Sequence, residues 1–107
     1  MILFMLTHIV FWKLKDHAEG ADKAANLARA KALLASCAGL THGIHRFEVA
    51  TAQPGHEATY DLVLNAVFED AEALQNYQQY PDHAAIKPFM RAVVQERQCM
   101  DYTWPAP

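Results

Sequence analysis

Tyr60-Asp-Leu-Val-Leu-Asn-Ala-Val-Phe-Glu-Asp-Ala-Glu-Ala-Leu-Gln-Asn-Tyr-Gln-Gln-Tyr-Pro-Asp-His83 is the stretch on which the reading of this chain turns. Tyr60, Leu62, Leu64, Ala66 and Phe68 alternate with Val63, Asn65 and Val67, so the first nine residues read as a strand that is apolar on both faces. Glu69-Asp70 turns that strand into a helix. Asp70 is placed as its N-cap, and Glu69 and Glu72 suit the positive helix end. Leu74 and Tyr77 share its inner face. Pro81 forces Tyr80 out of helical geometry and ends the helix just before His83. It also fits the first position of a second helical segment, to about Val94, with Ile86, Phe89, Met90 and Val93 at helical spacing. Pro88 within that segment should bend it or end a short first piece.

Outward from that stretch the same periodicities continue. Leu6 to Lys15 alternates Leu6, His8, Val10, Trp12 and Leu14 with Thr7, Ile9, Phe11 and Lys13, again apolar on both sides. Asp16 to Gly20 reads as a polar connection. Ala21 to Cys37 reads as a helix with Ala24, Leu27, Ala30, Leu34 and Cys37 as its buried stripe and Lys23, Arg29 and Ser36 in solvent. Gly39 sits where a left-handed terminator is wanted. His42 to Thr51 is a more polar strand, suited to a sheet edge, and Ala52 to Thr59 is a loop. Glu96 to Trp104 is the last strand, and 105–107 form a frayed tail. The order β-α-β-β-α-β is the split βαβ arrangement of a ferredoxin-like α+β domain with a four-stranded antiparallel sheet. Two crossover helices cover one sheet face, yet two strands are apolar on both. A homodimer through the second sheet face is therefore expected.

The 107 residues suffice for one domain, and 52% hydrophobic with 20% charged content is that of a globular chain. A net charge of -3, with nine Lys and Arg scattered along the chain, argues against nucleic-acid binding. The apolar start, Met1-Ile-Leu-Phe-Met-Leu, is too short for a membrane span and lacks the basic flank of a signal peptide, so a cytoplasmic location is expected. Cys37 and Cys99 match no metal or redox spacing and read as small buried hydrophobes. His42 and His45, three apart in a strand, point to opposite faces and cannot close on one ion. No metal and no cofactor is expected.

Thr7-His-Ile-Val-Phe-Trp-Lys-Leu-Lys15, Tyr77-Gln-Gln-Tyr-Pro-Asp-His83 and Asp101-Tyr102 together resemble the stress-responsive α/β-barrel domain (Dabb) family over about Met5 to Trp104. The resemblance implies two ferredoxin-like domains joined through their sheets into an α+β barrel. It also makes 5–104 the domain, with Met1 to Phe4 an extension from an upstream start codon. A plant member that closes a polyketide chain by aldol condensation uses a Tyr and a His on the segment matching Tyr77 to His83. That member carries a further His at the position of His8. It also has a pocket His where this chain has Leu62, and another His where this chain has Tyr80, so its substrate does not transfer.

His83 is the first candidate for acid/base work, because an imidazole both takes and gives protons near neutrality. Tyr77 is placed to hold its tautomer or to donate to an enolate-like oxygen. His8, on an otherwise apolar face, needs a partner whether it belongs to the core or to a pocket. The expected pocket is lined by Val10, Trp12, Leu62, Leu64, Tyr80 and Phe89 and takes a small apolar carbonyl compound for cyclase- or isomerase-like chemistry. The alternative from the same residues is a non-catalytic, stress-related or ligand-holding dimer. A further alternative, a cofactor-free monooxygenase of the related dimeric barrels, has no specific motif here.

Overall fold

The computed structural model describes residues 3–106. Met1, Ile2 and Pro107, and with them part of the expected extension and tail, lie outside the described residues. Strand β1 (Phe4–Leu14) is followed by a small hairpin of β2 (His17–Ala18) and β3 (Ala21–Asp22), then helix α1 (Lys23–Ala35). Strands β4 (Ile44–Thr51) and β5 (Leu62–Phe68) follow. The chain closes with α2 (Ala71–Gln79), α3 (Pro81–Ala84), α4 (Lys87–Val93) and β6 (Val94–Pro105). The main sheet has the order β4-β5-β1-β6, antiparallel throughout, which is the ferredoxin-like arrangement the alternation implied.

Strand β1 lies at the sheet centre, paired with β5 from Leu6↔Phe68 to Trp12↔Leu62 and with β6 from Phe4↔Pro105 to Leu14↔Val94. The β1–β6 ladder extends past the expected ends, whereas β5 begins at Leu62, two residues later than the expected Tyr60. Pro105 belongs to β6, and the Ala106 N–H donates to the Leu3 carbonyl at 2.7 Å. Strand β4 is an edge, as its polarity suggested, and β6 is the other. Val10, Trp12, Leu14, Leu62, Leu64, Ala66 and Phe68 pack under the helices with Ala30, Leu34, Tyr77, Met90 and Val93.

The helix stops follow the sequence closely. Asp70 caps α2 by accepting from the Ala73 N–H at 2.8 Å. Tyr80 adopts φ -62, ψ 135, and Pro81 starts α3. Pro88 sits in the first turn of α4, so the expected break separates α3 from α4.

Three local expectations change. The polar connection is a tight hairpin, with Glu19 (φ 53) and Gly20 (φ 73) forming the left-handed turn that suits strand twist. Its Asp22 caps α1, and the buried Asn26 donates Nδ2 to the Ala18 carbonyl at 2.9 Å. Asn26 thus takes an inward position, while Ala24 is exposed and Lys23 is only half-exposed, 3.5 Å from Asp61. Gly39 is not left-handed; Gly43 is, with φ 84. A Cβ on Gly43 would meet the Ala73 Cβ at 2.8 Å, and the Gly43 carbonyl accepts from the Glu69 N–H at 2.7 Å. The turn into β4 is therefore clamped to the start of α2. Cys37 is buried but Cys99 is exposed, because no helix covers the outer half of the edge strand β6.

The second face of the sheet carries Ile9, Phe11, Val63, Val67, Met100, Tyr102 and Trp104, by the β1–β5 and β1–β6 registers. Met100 and Trp104 are 66% and 67% exposed there. No helix of the chain is long and apolar enough to cross a membrane among the described residues.

Candidate functional site

Between the helix-covered sheet face and α4 lies a cavity of about 470 Å³, within the usual range for small-molecule sites. Strand β1 supplies His8, Val10 and Trp12 to it because they share one face of the strand. Leu64 enters from β5, Leu34 from α1, Gln78 and His83 from the α2–α3 break, and Ile86, Met90 and Val94 from the segment beyond. The floor is apolar, and two imidazoles are set into it.

His8 is almost fully buried, and its Nδ1 lies 2.5 Å from Asp101 Oδ1 on the neighbouring strand. His8 and Asp101 are direct register partners, so the ladder itself brings them together. A carboxylate only accepts, so Nδ1 carries the proton and Nε2 is the free nitrogen. The ring also packs edge-on to Phe68 at 6.3 Å. Asp101 is the functional candidate that sequence reading missed. Its signal was present in the cross-strand alignment of the two ends of the chain, which needs the register to be known.

His83 is half-buried, with Nδ1 3.2 Å from the Gln78 carbonyl. That carbonyl belongs to the last turn of α2, freed where Pro81 breaks the helix. The Nδ1–H therefore donates to it and Nε2 keeps its lone pair. Burial lowers the His83 pKa below the usual histidine value; the Gln78 carbonyl works against this, while Lys87 and His8 add to it. The group is a neutral base at neutral pH.

Tyr77 does not line the cavity. It is fully buried behind His83, ring centroids 4.4 Å apart, and between Phe68 and Phe47. Its hydroxyl has no hydrogen-bond partner among the described residues, and burial pushes its pKa well up. The expected acid/base partner is thus a core residue that supports the His83 ring. Of the expected lining, Val10, Trp12 and Leu64 are in place and Leu62, Tyr80 and Phe89 are not. Leu62 is buried in the core where β5 begins. Tyr80 points outward at the helix break, and Phe89 lies under the Arg29 guanidinium at 4.2 Å. Among the described residues no three His, Cys, Asp or Glu side chains gather as metal ligands.

The chain matches the family model of the stress-responsive A/B barrel domain over residues 6–104. An uncharacterised Streptomyces coelicolor protein is 32% identical over 81 residues, which cover 76% of this chain and 81% of that one. A dimeric ferredoxin-like protein of unknown function from Bacteroides fragilis is 25% identical, with a TM-score of 0.77 and coverage of 94% and 96% of the two chains. A hydroxynitrile lyase from Passiflora edulis shares the fold at 15% identity, with a TM-score of 0.72 and coverage of 94% and 93%.

Proposed function

The chain belongs to the stress-responsive A/B barrel domain (Dabb) family, and on that footing we propose that it is an enzyme moving a proton next to a carbonyl group. The observation that carries this reading is the pair of imidazoles on one apolar cavity, each with Nδ1 committed to an acceptor and Nε2 free. Their partners differ, and that difference divides the labour. His83, neutral and partly desolvated, takes the proton from the carbon beside the carbonyl. The C–H electron pair becomes the new C=C bond, and the carbonyl π pair moves onto oxygen. That oxygen takes the Nε2 proton of His8, which enters the step as the imidazolium and leaves it as the neutral ring with Nδ1–H on Asp101. Asp101 holds the His8 tautomer and balances the positive charge of the ring before it donates, as a carboxylate does behind a catalytic histidine. Reversal returns an isomerised or deuterated product; attack of the enol carbon on a second carbonyl gives an aldol-type closure. Within this fold the Passiflora edulis protein is a lyase, so the scaffold accommodates catalysis.

The test is deuterium incorporation. A panel of 1,3-dicarbonyl compounds and α-aryl ketones is incubated with the protein in D2O and followed by proton NMR. At least one compound should exchange faster than in buffer, and His83→Ala should remove roughly 100-fold or more of that rate. Exchange equal to buffer throughout, or unaltered by His83→Ala, overturns the reading.

The protein acts as a homodimer through the open sheet face, in keeping with the dimeric state of the Bacteroides fragilis protein. Pairing there covers Phe11, Met100, Tyr102 and Trp104 and leaves the cavity, on the opposite face, accessible.

A further inference from the structure

The cavity rim carries a feature that proton transfer does not use. Lys87 and Arg91 lie one turn apart on the face of α4 that also presents Met90 to the cavity. Arg97, on β6, pairs in register with Trp12 and so projects from the same sheet face as His8. All three line the cavity, and no carboxylate does. None of the three is in an ion pair among the described residues, whereas Lys23 contacts Asp16 and Asp61. In a chain of net charge -3 this is a local concentration of unbalanced positive charge at the mouth of an apolar chamber.

We infer that Lys87, Arg91 and Arg97 form the head-group site for an organic anion, so that the substrate is an amphipathic carbonyl compound bearing a carboxylate or a phosphate. The apolar body lies over Val10, Trp12, Leu64 and Met90, and the anion reaches the rim, where arginine forks match the paired oxygens of either group. Lys87 and His83 line the same cavity, which sets the head group close to the base. This substrate class rests on the proton-transfer reading for its carbonyl, but the anion site itself stands on the rim.

Three probes test it by calorimetric titration of the intact protein: 3-phenylpropanoate, 2-phenylethyl phosphate and the neutral 3-phenylpropanamide. At least one anion should bind roughly 10-fold or more tightly than the amide, the scale of losing one charged hydrogen bond. Which anion binds better identifies the head group. Arg91→Gln and Arg97→Gln should each cost the anion roughly 10-fold and leave the amide unchanged, and Arg97→Lys should recover part of the loss. Equal affinity for amide and anions, no anion binding, or anion binding indifferent to both Gln variants overturns the inference. The two readings fail separately. A protein that binds the anions but exchanges no deuterium keeps its rim site and loses the proposed chemistry; one that exchanges neutral ketones and ignores charge does the reverse.

Discussion

His8 and Asp101 are joined across the β1–β6 ladder, Nδ1 2.5 Å from Oδ1, with the imidazole side chain 6% exposed and the carboxylate 41%. The carboxylate stands at the solvent edge and fixes a ring inside the cavity. Asp101→Asn should keep the fold, at a cost of about 1 kcal/mol in urea titration, because the charged acceptor is lost at a partly exposed site. Proton exchange should fall at least tenfold, since an amide can present its NH2 and reverse the His8 tautomer. Nitrogen NMR of the ring reports that reversal directly. An unchanged tautomer with an unchanged rate removes Asp101 from the mechanism.

The residues missed and the residues found in the sequence separate along one line. Alternation in Leu6 to Leu14 and Leu62 to Phe68, the Asp70 cap and the Pro81 break are local, and each appears in the structure where periodicity placed it. Non-local facts were not legible. Asp101 meets His8 across 93 residues of sequence, and Arg97 joins Lys87 and Arg91 only once β6 folds back along β1. The nine cations look scattered because charge clustering is a property of the fold. Tyr77 failed differently: helical spacing put it on the inner face correctly, but inward meant core rather than cavity.

Tyr77→Phe follows from that placement. An unpartnered buried hydroxyl costs about 1–3 kcal/mol relative to a satisfied one, so its removal should leave stability unchanged or raise it by up to about 1 kcal/mol. The ring that backs His83 is retained, and deuterium exchange should stay within about threefold of the parent. A loss beyond tenfold with the fold intact would restore the tyrosine as an acid.

His83 has a lowered pKa in the native state, through burial first. Below the unfolded value of about 6.5 the unfolded chain therefore binds more protons at this group than the native one. Its contribution is full above about pH 6.5 and is lost as pH falls through the native pKa. Stability measured at pH 7.5 and pH 5 should drop less for His83→Gln than for the parent. His8 and Lys87 also face this ring, so the comparison is made with both left in place. Equal slopes for parent and variant contradict the desolvated state of His83.

Gly43 combines a left-handed backbone with a Cβ position 2.8 Å from the Ala73 Cβ. Gly43→Ala should cost about 3 kcal/mol, from the strained φ and from the displacement of α2 it forces. The displacement should disturb the Asp70 cap and, through α2, the His83 ring. Ala73→Gly in the same chain removes the clash but not the φ strain, and should recover part of the loss. Full tolerance of Gly43→Ala would mean that the β4–α2 clamp does not hold the helix.

Trp104 and Met100 project from β6 onto the face that no helix covers, beside Phe11 and Tyr102. Contiguous large apolar side chains at such exposure are costly in water and mark an interface. In the proposed pairing of this face with a copy of itself, Trp104 and Tyr102 become aromatic anchors, the residue types that carry much of the binding energy at interfaces. Met100→Lys puts a charge where the two sheets meet, so it should raise the dimer dissociation constant at least 100-fold, about 3 kcal/mol. Sedimentation velocity at micromolar concentration should then show a 12.0 kDa species in place of the doubled mass. Leu64 and Trp12, under the opposite face, are untouched by the substitution, so the cavity should still bind 3-phenylpropanoate. A parent protein that sediments as a monomer, or a Met100→Lys variant that remains dimeric, would place the contact elsewhere.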